Sequence, residues 1–143
     1  MTPELQYTGQ KLTESFEQCR LDAYPDSKGV PTIGWGHTRG VSLGQSCTQA
    51  QADAWLDEDV ATAVYAVNHY VAITLNQHEF DALVDFVFNV GSGNFATSTL
   101  LKKLNCGDLA GAANEFEKWD MSGGQHLAGL LRRRIAEKTE FLS

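Results

Sequence analysis

Residues 17–38 read EQCRLDAYPDSKGVPTIGWGHT. Within this stretch AYPDSKGVPTIGWGH carries two prolines and three glycines, which exclude a regular helix. Tyr24, Val30, Thr32, Ile33 and Trp35 favour strand. The simplest reading is a β-hairpin whose loop centres on Lys28 and Gly29. Pairing symmetric about Gly29 would set Asp26 across from Thr32, a carboxylate facing a hydroxyl, which together can hold one water. Glu17 precedes Asp26 by nine residues and belongs to a different element. Two carboxylates in different surroundings are what general acid–base chemistry requires.

Upstream, Leu5, Leu12, Phe16 and Cys19 fall at helical spacing and predict a first helix over 4–20. Glu17 then sits in its last turn, where the negative end of the helix dipole disfavours another negative charge. Partial burial acts the same way and keeps the acid neutral near pH 7. Glu4 and Glu14 read as solvated side chains.

Downstream of the polar connection GVSLGQSC, Thr48 and Gln51 form a capping box. Ala52, Leu56, Val60, Ala63 and Val67 make an apolar stripe along a helix of roughly 30 Å at ~1.5 Å per residue. Asp57, Glu58 and Asp59 read as its solvated face. Asn76 and Glu79 cap the next helix. Phe80, Leu83, Val84, Val87, Phe88 and Val90 make that helix apolar on most sides and therefore central, with Gly91 as its stop. A helix over 108–119 follows an Asp cap, MSGGQHLAG reads as a loop, and LLRRRIAEKTEFL as a last helix with an apolar face through Leu127, Leu131, Ile135 and Leu142. Counting about 100° per residue from Leu131, Arg133 points about 200° away, Arg132 about 100°, and Arg134 about 60°. Arg134 is therefore expected to reach inward and pair with Glu17 or a neighbour. The element order predicts an α+β fold, mostly α.

The net charge of −7 is uneven: residues 1–91 hold four Lys/Arg against twelve Asp/Glu, and residues 92–143 seven against six. Nucleic acid is disfavoured as a partner, because neutralising phosphates calls for a basic face. Cys19, Cys47 and Cys106 lack CxxC spacing and read as free thiols of a protein made in a reducing compartment. No stretch approaches the roughly 20 apolar residues of a membrane span, and MTPELQYTGQKLTE carries no apolar signal-peptide core. His37 lacks a second histidine or cysteine at ligand spacing, so no metal is expected. His69, His78 and His126 are scattered and read as surface residues.

Glu17, Asp26 and Thr32, spaced E-x8-D-x5-T and followed by IGWGHT, closely resemble the catalytic signature of phage-type lysozymes, the endolysins of glycoside hydrolase family 24. FNVGSGNFATSTLL, residues 88–101, resembles the family's FNxGxxxFxxSTLL pattern. The resemblance runs from about Leu12 to Leu142. It implies one lysozyme-like catalytic domain over 1–143, with a hairpin lobe over 21–47, a connecting helix over 48–70 and a helical lobe over 71–143, separated by a cleft.

The resemblance implies inverting hydrolysis of the β-1,4 bond between N-acetylmuramic acid and N-acetylglucosamine in peptidoglycan. Glu17 would be the general acid, with Asp26 and Thr32 positioning the water. Thr38, Phe88, Asn89 and Ser98 are the implied sugar contacts, His37 a structural hydrogen-bonding residue, and Trp119 a core residue beside the last helix. No cofactor is needed. The partner is a peptidoglycan glycan strand, the chain a monomer, and its route from the host cytoplasm to the periplasmic wall holin-dependent. Two features depart from the family: Gln18 stands where Gly is common, and the balance is acidic where members are often basic. The rival functions are a lytic transglycosylase, an inactive wall-binding tail module, and an amidase, which would want zinc ligands or a Cys/His pair.

Overall fold

A computed structural model describes residues 5–143; Glu4 and the start expected for the first helix lie outside them. Helix α1 is shorter than its periodicity suggested, spanning Gln10–Phe16. It stops because the chain turns to an extended conformation at Glu17, with φ −102° and ψ 124°. Residues expected in the helix's last turn instead open strand β1, Arg20–Pro25. Partners on both edges hold that strand. Antiparallel β2, Pro31–Gly34, lies on one side. On the other, Ala23 N–H donates to Gln45 O at 2.9 Å and Cys47 N–H to Leu21 O at 2.8 Å.

The hairpin register differs by two residues from the symmetric reading. Tyr24, not Asp26, pairs with Thr32, and Pro25 pairs with Pro31. Asp26 itself causes the shift: its Oδ1 accepts from the N–H groups of Lys28 and Val30, both at 2.8 Å, and closes the turn from within.

Helix α2, Gln49–Tyr70, begins at a Thr48 cap that accepts from Gln51 N–H. It buries Ala52, Leu56, Ala63, Ala66 and Val67, with Val60 half-buried. Helix α3, Gln77–Val90, has the full capping box at Asn76 and Glu79 and ends at Gly91, φ 95°. It is buried continuously from Phe80 to Val87, including Asp81 and Asp85. Short helices α4 (Ser92–Ala96), α5 (Thr99–Asn105) and α6 (Leu109–Glu115) follow, then a 3-10 turn over Phe116–Lys118. The segment read as a loop contains a small second hairpin, β3 (Met121–Ser122) against β4 (Gln125–His126), turned by Gly123 and Gly124 at positive φ. Helix α7 spans Ala128–Phe141.

The core gathers around α3, which packs against both α2 and α7. Edge-to-face contacts of Phe86 with Phe95, Phe116 and Trp119 fill the space beside it. The face of α7 turned inward is not the expected apolar stripe. Ile135 is 45% and Leu142 60% exposed, whereas Arg133, Arg134, Glu137 and Phe141 are buried. No helix among the described residues is long and apolar enough to cross a membrane.

Candidate active site

Glu17 occupies the position just after α1, its N–H still bonded to Thr13 O at 3.1 Å. Its side chain is 17% exposed, enough to meet a ligand while losing most of its hydration. Oε1 accepts from Arg133 Nη1 at 2.7 Å. Oε2 lies against Gly36, where a Cβ would come within 2.7 Å of it at φ +83°. A side chain at 36 would therefore collide with the carboxylate, which accounts for the second glycine of IGWGHT. Burial pushes the Glu17 carboxyl above the ordinary glutamate range, with the charge and hydrogen bond of Arg133 pulling back. Gln18 is exposed, and no residue but glycine takes positive φ among the described residues. Its side chain is accommodated without strain.

The residue holding Glu17 corrects the sequence expectation. Arg133 makes the contact, while Arg134 pairs with Glu137 and lies 5.1 Å from the Phe86 ring centroid. Arg133 also grips Asp85 of α3 side-on, Nε to Oδ2 and Nη2 to Oδ1, both at 3.0 Å. Asp85 further accepts from Thr13 Oγ1 at 2.7 Å, and Thr13 shares a hydrogen bond with Tyr7 OH at 2.6 Å. Helices α1, α3 and α7 thus converge on one buried guanidinium. Sequence reading missed Asp85; two acids inside an otherwise apolar helix were the available signal, since buried charges need partners.

Asp26 stands on the hairpin in a contrasting environment. It is half-buried, and its Oδ1 is occupied by the two turn amides. Thr32 is 3% exposed, and its hydroxyl donates to Val30 O at 2.9 Å. Burial, then the charges of Glu17 and Asp26, push the phenol of Tyr24 upward. Both carboxylates therefore lie within electrostatic reach of one ring on β1.

Two cavities flank these groups. One, of about 260 Å³, is lined by Gly36, Thr38, Arg39, Thr62 and Phe88 among others. The second, of about 300 Å³, joins Asp26 and Lys28 of the first hairpin to Asn89, Trp119, Ser122 and Arg134. Phe88 and Asn89, adjacent at the end of α3, face one cavity each. The hairpin tips meet where Ser27 Oγ and Ser122 Oγ lie 2.9 Å apart.

Ser98 lies elsewhere. It is buried as the α5 cap, accepting from Leu101 N–H and donating to Phe95 O, and it lines neither cavity. His37 is 5% exposed, hydrogen-bonded through Nδ1 to Asp59 at 2.8 Å and stacked on Trp55. Asp59 is therefore not part of a solvated face. Trp119 is half-buried against Phe86 and also borders the second cavity. Cys19, Cys47 and Cys106 are free.

The phage lysozyme family model matches residues 14–137. An endolysin of Acyrthosiphon pisum secondary endosymbiont phage 1 is 44% identical over 139 residues, covering 94% of this chain and 95% of that protein. The muramidase domain of SpmX from Asticaccaulis excentricus superposes with a TM-score of 0.86 at 38% identity, covering 99% of both chains. An endolysin from Escherichia coli O157:H7 phage FAHEc1 superposes at 0.85 with 33% identity, covering 100% of this chain and 97% of the other.

Proposed function

Because the chain belongs to the phage lysozyme family, it is a peptidoglycan-lysing glycoside hydrolase, and we infer that Glu17 protonates the leaving glycosidic oxygen while Asp26 and Thr32 direct the attacking water. The observation that carries this reading is the contrast between the two carboxyl groups. Glu17 is largely buried and pushed toward its protonated form. Asp26 accepts two backbone N–H bonds on a wetter loop.

Splitting the glycosidic bond transfers one proton to the departing oxygen and places hydroxyl from water on the anomeric carbon. With Asp26 Oδ1 engaged by the turn, Oδ2 is the oxygen offered to water. Thr32 donates to Val30 O, so its lone pairs accept from that same water. Arg133 fixes the Glu17 carboxyl by one hydrogen bond, reducing the orientational freedom lost when substrate arrives. Thr38 and Phe88 on the first cavity and Asn89 on the second are the sugar contacts. The enzyme works as a monomer, inverts the anomeric centre, and reaches the periplasmic wall from the host cytoplasm.

Mass spectrometry of digested peptidoglycan tests the reaction. Reducing-end muramic acid is expected; anhydro products would reassign the chain as a lytic transglycosylase. Glu17→Gln should lower lysis by roughly 10³-fold with the melting transition retained, and unchanged lysis would defeat the assignment. Asp26→Asn should be severely impaired as well, and near-normal turnover would remove Asp26 from the water-directing role.

A further inference from the structure

The buried cluster behind Glu17 contains two arginines, Arg133 and Arg134, and three acids, Glu17, Asp85 and Glu137. Arginine stays charged inside proteins, so with all three acids ionised the cluster would hold an uncompensated buried anion, which is costly. Glu137, whose side chain has no solvent exposure, faces Arg134 through both oxygens, Nε to Oε1 at 2.7 Å and Nη2 to Oε2 at 2.9 Å. Asp85 is held in the same side-on way by Arg133. Each guanidinium is thus matched to one acid, and Glu17 is the acid left over. Burial pushes the Asp85 carboxyl up, but the charge and hydrogen bonds of Arg133 and the hydrogen bond from Thr13 hold it down at about 2.

Arg133 is therefore divided unequally. Nε and Nη2 both serve Asp85, and Nη1 alone serves Glu17. A guanidinium facing a carboxylate with both prongs free would form a bidentate ion pair and hold Glu17 ionised, useless as an acid. We propose that Asp85 is a positioning residue for the hydrolysis: by occupying Arg133 side-on, it leaves one N–H to orient Glu17 while Glu17 can still carry its proton. Glu137 engages Arg134 in the same side-on way. Other groups facing Glu17 do not reproduce the effect. Arg134 acts on it from α7, Tyr24 from β1 is a neutral phenol, and Asp26 stands across the hairpin. Tyr7, behind Thr13, is likewise neutral, its phenol pushed up by burial and by Asp85.

The inference rests on Glu17 being the acid, so the deciding readout is independent of turnover. Carboxyl ¹³C NMR titration of Glu17 is compared in the wild-type chain, Asp85→Asn and Asp85→Glu, alongside the pH dependence of kcat/KM. In Asp85→Asn, Arg133 is freed and an anion is lost, so the Glu17 midpoint and the alkaline limb of kcat/KM should both move acidward by about one pH unit. In Asp85→Glu the midpoint of Glu17 should remain near the wild-type position, because a carboxylate still occupies Arg133. An unmoved midpoint in folded Asp85→Asn, with activity merely scaled down, would overturn the proposal and leave Asp85 as a structural residue. An acidward shift in Asp85→Glu would overturn it too, since Arg133 would there still be occupied by a carboxylate. Should Asp85→Asn fail to fold, the Asp85→Glu titration still decides. A Glu17 midpoint that shifts as expected in a chain releasing no reducing-end product would refute the hydrolase reading and leave the charge arrangement standing.

Discussion

Helices α2 and α7 pack against the same central helix, yet they bury opposite chemistries. α2 sends in alanine, leucine and valine, as its periodicity indicates, and its charges stay outside apart from Asp59. α7 sends in two arginines, a glutamate and one phenylalanine, leaving Ile135 and Leu142 in water. The difference follows from what each must hold. α2 joins the lobes and needs only area, at ~25 cal/mol per Å² of apolar surface. α7 must present a cation to Glu17, and a cation inside the protein requires acids around it. Asp85, Glu137 and the inverted pattern of α7 are consequences of that one requirement.

The comparison can be broken at its strongest point by Arg133→Ala. Removing one member of a buried ion pair leaves Asp85 and Glu17 facing each other without compensation, so urea unfolding at pH 7 should show a loss of roughly 3–5 kcal/mol. The loss should shrink in acid, because protonation relieves the stranded carboxylates. Leu56→Ala, at a site 1% exposed on α2, should cost about 3 kcal/mol. Its cost should be the same at pH 7 and pH 3. If both variants responded alike to acid, the two helices would not differ in kind.

Acid unfolding of the wild-type chain sharpens the same contrast with a smaller effect. Asp85 is held at about 2 in the folded protein, below the ~3.9 of an unfolded aspartate. Its contribution is complete above about pH 4 and is lost as pH falls toward 2 and the Asp85 carboxylate is protonated. The loss should be on the order of 2 kcal/mol. Differential scanning calorimetry between pH 5 and pH 2, with Asp85→Asn as the reference lacking that titration, measures it.

What was legible in the sequence was what is local. The Thr48 and Asn76 caps, the stripe of α2, the apolar run of α3 and the stop at Gly91 depend on neighbours within a few residues, and each appears where the spacing placed it. The first hairpin was legible too, although its register is offset by two residues because the Asp26 side chain, not the backbone alone, builds the turn. The second hairpin was not, since two-residue strands are too short to display alternation. Least legible was the support behind Glu17. Arg133 meets Asp85 48 residues away and Glu17 116 residues away, and no periodicity encodes partners at those separations. Counted from Leu131, Arg133 points outward, whereas the buried face of α7 runs through Arg133, Arg134, Glu137 and Phe141. Ser98 fits a sequence pattern, but its hydroxyl is engaged in capping α5.

The smallest expected effect separates the two readings of α7 most directly. If the face through Leu131 and Ile135 were the buried one, Ile135→Ala would remove a core side chain and cost about 2–5 kcal/mol. In the structure Ile135 is 45% exposed, so much of its surface already meets water and truncation opens no enclosed cavity. The backbone carbonyl of Ile135 accepts from Thr139 Oγ1 at 2.8 Å, and the substitution leaves that bond in place. Alanine also has the higher helix propensity, by a few tenths of a kcal/mol, which offsets part of the lost contact. Urea unfolding should therefore place Ile135→Ala within about 0.5 kcal/mol of wild type, with wall lysis unchanged. A loss of several kcal/mol would mean that α7 is rotated from the orientation described, and that Arg133 could not sit between Asp85 and Glu17.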